Sequence, residues 1–415
     1  MPRFARADGV RPPSLALLAA ITALAFCGLH MVVPALPLLV AVFDDSPARV
    51  QLVLSLYLAA IAAGQLVYGP LSDRFGRRPV LLAGLAAFLV GTALCGGAWS
   101  LTTLIAGRVL QALGACAGIV LSRAIIRDIF EREAAARGFA LVMMAMTLAP
   151  AVSPAAGAYL AEWVDWRAIF GLLGGIGAIV FAIAAARLGE TNRNRVRLNI
   201  ASMAEAYATL LRSPGFVAFT ICGACTSASW FTFIASAPHL LSDGLAQPPS
   251  TYGLMILLPM ATYMAGNALA ARFAPRFGSL ALLLAGRSVA FAAALGLALA
   301  NGADGLGVWT LFLPIAIAEI GDGMSQPATM ASALSLHPRL AGTAAGLMGC
   351  VQMAAAALGS YVVALLPYDN AFGLVVAFGG FVALGLGSGL VAITYVTRAA
   401  PPPLAAVAAP ATEGS

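Results

Sequence analysis

Five ionisable side chains stand inside long apolar runs: His30, Arg108, Arg287, Glu319 and Asp322. A charge taken out of water is expensive unless it is paired or put to work. These types suit proton handling. An imidazole titrates near neutrality, and a carboxyl can be brought there by its surroundings. A guanidinium stays charged and holds neighbours in a fixed fork. Glu319 and Asp322 are three residues apart, so they share one helix face. No Ser/His/Asp set, phosphate-binding loop or cluster of metal-ligating residues accompanies them. Neither an enzyme, a cofactor nor a bound metal is expected.

A second group is the stretch GPLSDRFGRRPV at residues 69–80, which puts Asp73, Arg74, Arg77 and Arg78 into six positions. Gly69, Pro70 and Gly76 suit a tight turn. Basic residues are common in cytoplasmic loops, which accounts for the three arginines. Asp73 runs against that bias, and neither the turn nor the bias accounts for it.

The chain around these groups is 415 residues long, 61% hydrophobic and 10% charged, with mean hydropathy +0.93. Soluble domains carry roughly 25% charged residues, so most of this surface must face lipid. The net charge is +6. No basic patch alternates with aromatic residues, so nucleic acid is not an expected partner. The six cysteines lie in apolar runs, and Cys222-Gly-Ala-Cys225 reads as small packing residues rather than a redox or metal pair.

A helix needs about 20 apolar residues to cross a bilayer. Twelve such runs fall near 14–36, 48–70, 79–99, 101–125, 138–161, 167–188, 214–238, 250–273, 279–300, 306–331, 340–366 and 370–397. Arg3, Arg6 and Arg11 before Ala23-Leu24-Ala25 imitate a signal peptide. The apolar run continues to about Val42, however, so an uncleaved first span is expected. Every basic residue is Arg, and of the 23 only Arg49 and Arg167 fall outside if the N-terminus starts in the cytoplasm, with Arg108 and Arg287 inside spans. Both termini are therefore expected in the cytoplasm; the arginine-rich ends of the spans are called inner below. By length at about 1.5 Å per residue, His30 and Arg108 lie in the outer half and Glu319 near the middle, while Arg287 and Asp322 are at similar depth.

The expected fold is an all-α polytopic membrane protein with twelve transmembrane helices in two pseudo-symmetric six-helix bundles. The bundles are expected at 1–190 and 214–398. A linker at 191–213 would carry a short amphipathic helix with Met203, Tyr207, Leu210 and Leu211 on the inner membrane face, and 399–415 would be a disordered tail. Arg74-Phe75-Gly76 and Arg276-Phe277-Gly278 are 202 residues apart, as are Gly157-Ala-Tyr159 and Gly359-Ser-Tyr361. One shared offset suggests duplication in the same topology.

The loop G-P-L-S-D-R-F-G-R-R resembles the signature of the major facilitator superfamily. Arg108-Val-Leu-Gln111-Ala-Leu-Gly114 resembles that superfamily's span-4 motif, and L-A-P-A-V-S-P-A-A-G at 148–157 the span-5 motif of its drug:proton antiporters. Val-Pro-Ala-Leu-Pro at 33–37, Gln51, Arg127-Asp128 and Trp166-Arg167-Ala-Ile-Phe170 are similar to the bicyclomycin- and chloramphenicol-resistance branch. The resemblance covers nearly the whole chain and implies the major facilitator fold. It also implies a gate: Gly69, Asp73, Arg74, Gly76, Arg77 and Arg78 form the loop, Asp73 and Arg77 pair with Asp128, and Asp73 faces the N-terminus of span 11. Pro150, Pro154 and Gly157 would shape span 5, which the resemblance sets against span 8 to seal the outer vestibule.

By the same resemblance spans 1, 4, 7 and 10 line the cavity, placing His30, Arg108, Glu319 and Asp322 as proton-coupling candidates. His30 departs from the family, whose members commonly have Asp just before Met-x-x-Pro-Ala-Leu-Pro. Tyr57, Arg108, Gln111, Met143, Met146, Trp230 and Phe233, with Phe231 beside them, are expected to offer a soft and aromatic substrate surface. The implied function is proton-coupled efflux of a small hydrophobic, drug-like molecule by a monomer in the bacterial inner membrane. A facilitator or importer of a metabolite is the alternative, and a receptor or scaffold the more distant one.

Overall fold

The computed structural model describes residues 14–129, 132–192, 200–303, 305–366 and 371–399. The expected tail beyond residue 399 lies outside them, as do the linker arginines Arg193, Arg195 and Arg197. Helices long and apolar enough to cross a membrane number twelve among the described residues. They are span 1 (Leu15–Phe43), span 2 (Pro47–Phe75), span 3 (Arg77–Gly96), span 4 (Leu101–Ile129), span 5 (Leu141–Trp163) and span 6 (Trp166–Arg187). The second set is span 7 (Pro214–Gly244), span 8 (Pro249–Phe277), span 9 (Ser279–Gly302), span 10 (Val308–Leu336), span 11 (Pro338–Ala364) and span 12 (Phe372–Thr397). In lipid each backbone group must be satisfied within its own segment, so apolar runs of this length become helices.

Local sequence sets the ends and the breaks. Ser46 caps span 2 by accepting from Arg49 N at 3.3 Å, with Pro47 at the first helical position. Gly76 (φ 101°) and Gly278 (φ 78°) close spans 2 and 8 in the region open to glycine. Pro34 interrupts span 1. The helix stops at His30, Val33–Ala35 form a 3₁₀ turn, and the helix resumes at Leu36.

Glycine sets the helix spacing. Gly84 and Gly91 of span 3 abut Ala117 and the backbone of Gln111, while Gly107 and Gly114 of span 4 lie against Cys95 and the backbone at Phe88. Backbones that approach this closely leave no room for a methyl group. The 202-residue offset recurs in space. Gly84 faces span 4, and Gly286, 202 residues later, faces the Gly321 carbonyl of span 10. Gly157 sits on the Met31 carbonyl of span 1, and Gly359 on the Ala228 carbonyl of span 7.

The linker helix, Ile200–Leu211, differs from expectation in what it covers. Leu210 is buried and Tyr207 half-buried, and both pack with Phe216, Phe219 and Met348 of spans 7 and 11. Leu211 is 58% exposed. Part of the apolar stripe thus docks on protein, because Leu210 finds a packed partner there.

The halves meet at the outer and middle levels. Ser55 and Ser360 hydrogen-bond at 2.8 Å, Ser250 N donates to Glu162 at 3.2 Å, and Gly253 packs on Ala155 and Ala158. Gln65 touches Gly349 near the middle. Further in, a Cβ on Gly69, Gly342 or Gly346 would have nothing within 4 Å. The conformation is sealed at its outer end.

Candidate functional site

Three polar centres interrupt the apolar interior. The first is Arg108, fully buried. Its Nη1 donates to Gly28 O and to Gln111 Oε1, both at 2.6 Å, and its Nε donates to Val53 O at 3.3 Å. The guanidinium lies 4.0 Å from the centre of the Tyr57 ring, and Gln111 donates onward to Thr92 at 2.8 Å. One fork therefore fastens spans 1, 2 and 4, and reaches span 3 through Gln111. Arg108 Nη2 has no hydrogen-bond partner, and among the described residues no carboxylate lies within 4 Å of the guanidinium.

The second centre is Arg287. Its Nη1 donates to Asp322 Oδ1 and to Thr226 Oγ1, both at 2.6 Å. The sequence around Asp322 explains the geometry, for Gly321 and Gly323 flank it. Gly321 abuts Gly286 of span 9, beside Arg287, and Gly323 abuts the Tyr263 carbonyl of span 8. Span 10 is thereby clamped on both sides with its carboxylate at the guanidinium. Glu319, one turn away, is 4% exposed, makes no ion pair within 4 Å among the described residues, and leaves Oε1 without a partner there.

His30 forms the third centre, where the halves meet. Its Nδ1 is 3.0 Å from Phe26 O. A carbonyl only accepts, so Nδ1 carries hydrogen and Nε2 is the acceptor of the neutral ring. The ring lies between Phe26 (6.4 Å) and Phe231 of span 7 (6.1 Å).

At the inner end, Gly69 to Phe75 continue the helix of span 2 instead of forming the expected turn, and Gly76 alone separates spans 2 and 3. Arg77 is the hub of the charges there. It meets Asp73 at 2.6 Å, Asp128 at 2.8 Å and Ser72 Oγ at 2.5 Å. Asp73 is 48% exposed and its recorded ion pair is with Arg77. No hydrogen bond or ion pair joins Asp73 to the described residues of span 11 in this conformation. Arg74 lies over Phe75, and Arg78 Nη2 donates to Ala185 O at 2.9 Å.

Two residues escaped the sequence reading. Glu190 accepts from the backbone N–H of Arg77 (2.9 Å) and Arg78 (3.3 Å), capping span 3 from more than a hundred residues away. Asn192 donates to Ser72 O and Asp73 O at 3.3 and 3.0 Å. The available signal was the one that flagged Asp73: Glu190 is a lone acid between Arg187 and Arg193.

Other expected residues are distributed unevenly. Pro150 and Pro154 are buried within one continuous helix, Arg132–Trp163. Span 5 meets span 8 through Ala155 and Ala158, whereas Gly157 faces span 1. Gln51 is buried with neither amide atom hydrogen-bonded. Met146 and Trp230 are half-buried and Met143 is exposed. Tyr57 and Gln111 belong to the Arg108 cluster. Phe233 is fully buried with its edge on Phe312 at 5.3 Å, so in this conformation it packs the interior rather than lining open space. All six cysteines are free.

Twelve membrane-spanning helices in two similar halves, with buried charges and a charged inner loop, define a membrane transporter rather than an enzyme. Residues 18–360 match the family model described as Major Facilitator Superfamily, and the chain belongs to that family. It is similar to a chloramphenicol resistance protein of Pseudomonas aeruginosa, at 32% identity over 87% of this chain and 86% of the relative. Multidrug resistance protein D of Escherichia coli (strain K12) is 31% identical over 77% and 80%. A bicyclomycin resistance protein homolog of Haemophilus influenzae is 26% identical over 86% and 90%. Among solved structures, a POT family transporter in complex with 5-aminolevulinic acid superposes with TM-score 0.74 at 13% identity, covering 92% of this chain and 95% of that one. A bacterial homolog of the human lysosomal transporter Spinster gives 0.69 at 16% identity, covering 92% and 95%. These last two share the fold.

Proposed function

We propose that the protein exports small hydrophobic, drug-like molecules from bacteria in exchange for protons, as a monomer in the inner membrane with both termini in the cytoplasm. Alternating access comes from rocking the two halves about the contacts of spans 2 and 11 and of spans 5 and 8. The names of the relatives support a drug as cargo, and chloramphenicol is the first compound to try.

The observation that carries the coupling is Glu319, a buried carboxyl with an unpartnered oxygen and, among the described residues, no cation within 4 Å. Burying it charged and unpaired costs more than burying it protonated. Its neighbour Asp322 is already committed to Arg287. Glu319 is therefore the proton carrier, loaded from outside when the outer end is open and emptied to the cytoplasm, as drug binds, in the outer-closed conformation. His30 takes a secondary part at the junction of spans 1 and 7, in the place where relatives commonly carry Asp. Arg108 holds the N-terminal half together and offers its free Nη2 to a ligand. Asp73, Arg77 and Asp128 form the inner latch, which engages span 11 when the inner ends close.

The test is transport in proteoliposomes loaded with chloramphenicol under an imposed pH gradient, together with drug-induced proton release from purified protein near pH 7. Wild type should couple drug exit to proton entry, and Glu319→Gln should release fewer protons. Equal proton release from Glu319→Gln and wild type would remove Glu319 as carrier. Drug movement indifferent to the gradient would favour a facilitator.

A further inference from the structure

A cavity of about 260 Å³ lies at the outer end between the two halves. Span 1 contributes Pro34, Pro37 and Leu38, and the end of span 7 with the start of span 8 contributes Pro238, Ser242, Asp243, Gln247 and Tyr252. Its volume falls just below the range of drug-sized pockets, about 300–1,000 Å³, so it suits a fragment-sized molecule. The exposure of Leu38 and Asp243 opens it to the outer face.

The wall is built from unusual backbone. Span 7 ends in a π-turn, Leu240–Gly244, a form that often marks functional sites. Ala246 has φ 50°, which non-glycine residues adopt uncommonly. Pro238, Pro248 and Pro249 stiffen the same turn. Among the described lining residues, Asp243 is the charged one. Its Oδ1 accepts from Ser242 at 2.5 Å and its Oδ2 is 3.5 Å from His239 Nδ1. Gln247 is engaged with Leu245 and Thr251. The Tyr252 hydroxyl is buried with no partner, an expensive vacancy for a group that can donate and accept. Apolar proline faces, one carboxylate and one unmet hydroxyl complement a small ammonium compound with an apolar body.

We propose that this cavity binds a small amphipathic ammonium compound from the outer aqueous phase, and that the occupant, touching both halves, holds the outer end shut. Ligand that bridges two bodies binds only while they are together, so it shifts the population towards that state. Such a compound slows turnover from outside without entering the transport route. Gate-holding rests on the alternating-access reading, whereas binding does not, so failure of each is read separately.

The probe is phenylethylammonium chloride, with 2-phenylethanol as its neutral counterpart, titrated against the full chain in phosphatidylcholine nanodiscs. The ammonium should bind saturably. Asp243→Asn should weaken it about 10-fold, the order expected on losing one charge-assisted contact, and Tyr252→Phe should weaken it less. Equal affinity for 2-phenylethanol, or unchanged affinity in Asp243→Asn, overturns the site. Gate-holding is read from Ser360→Cys, at the seam where Ser360 meets Ser55, in a chain whose six native cysteines are replaced by serine, with a membrane-impermeant thiol reagent added to the outer side of sealed vesicles. Phenylethylammonium should slow its alkylation with Asp243 present and not with Asp243→Asn. An unchanged alkylation rate overturns gate-holding.

Discussion

Asp322→Asn separates a structural charge from a working one. The Arg287–Asp322 pair is 2.6 Å long and buried on both sides. Removing one member of such a pair strands the other in a medium that solvates it poorly. The general cost is about 3–5 kcal/mol. Here Arg287 keeps Thr226 as an acceptor, while its Nε and Nη2 are already without partners. The loss should therefore fall near the middle of that range, about 4 kcal/mol. Glu319→Gln is the control, since it replaces an unpaired carboxyl by a neutral isostere and should change stability by less than about 1 kcal/mol. The double variant Arg287→Gln/Asp322→Asn should recover most of the loss, because no charge is left stranded. The assay is unfolding free energy of purified variants in one detergent, with transport measured alongside. Asp322→Asn within about 1 kcal/mol of wild type would refute the structural assignment. So would a double variant as unstable as the single one.

Other outcomes follow from individual contacts. Asp73→Asn should cost little stability, about 0–1 kcal/mol for a half-exposed pair, yet strongly reduce turnover in proteoliposomes; full turnover would remove the latch. Arg108→Lys should lose export, because one ammonium cannot reach Gly28, Val53 and Gln111 in the same fork, and this is read from gradient-driven chloramphenicol transport. Gly157→Ala would drive a methyl into the Met31 carbonyl and should cost about 1–3 kcal/mol, seen as a lowered melting temperature. Glu190→Ala should cost about 1–2 kcal/mol through loss of the span-3 cap, measured in the same way.

Much of the architecture was legible in order of residues alone. Apolar runs of some twenty residues can only be helices in lipid, so composition and spacing determined the twelve spans. The resemblance around Asp73 implied an ion pair with its neighbours, and similar depth pointed to Arg287 with Asp322. The shared offset of 202 residues found the repeat, because duplicated halves keep their small residues where backbones cross. What tertiary structure alone decided concerns the neighbours that helical spacing cannot name. Gly157 turns to span 1 because the break at Pro34 brings the Met31 carbonyl against it. Phe233 faces Phe312 rather than open space, since apolar character at helical spacing is the same for a core and for a cavity wall. Glu190 reaches Arg77 across 113 residues of chain, a distance at which no local propensity acts. The cavity at Asp243 exists only while span 1 and the junction of spans 7 and 8, far apart in the sequence, lie against each other.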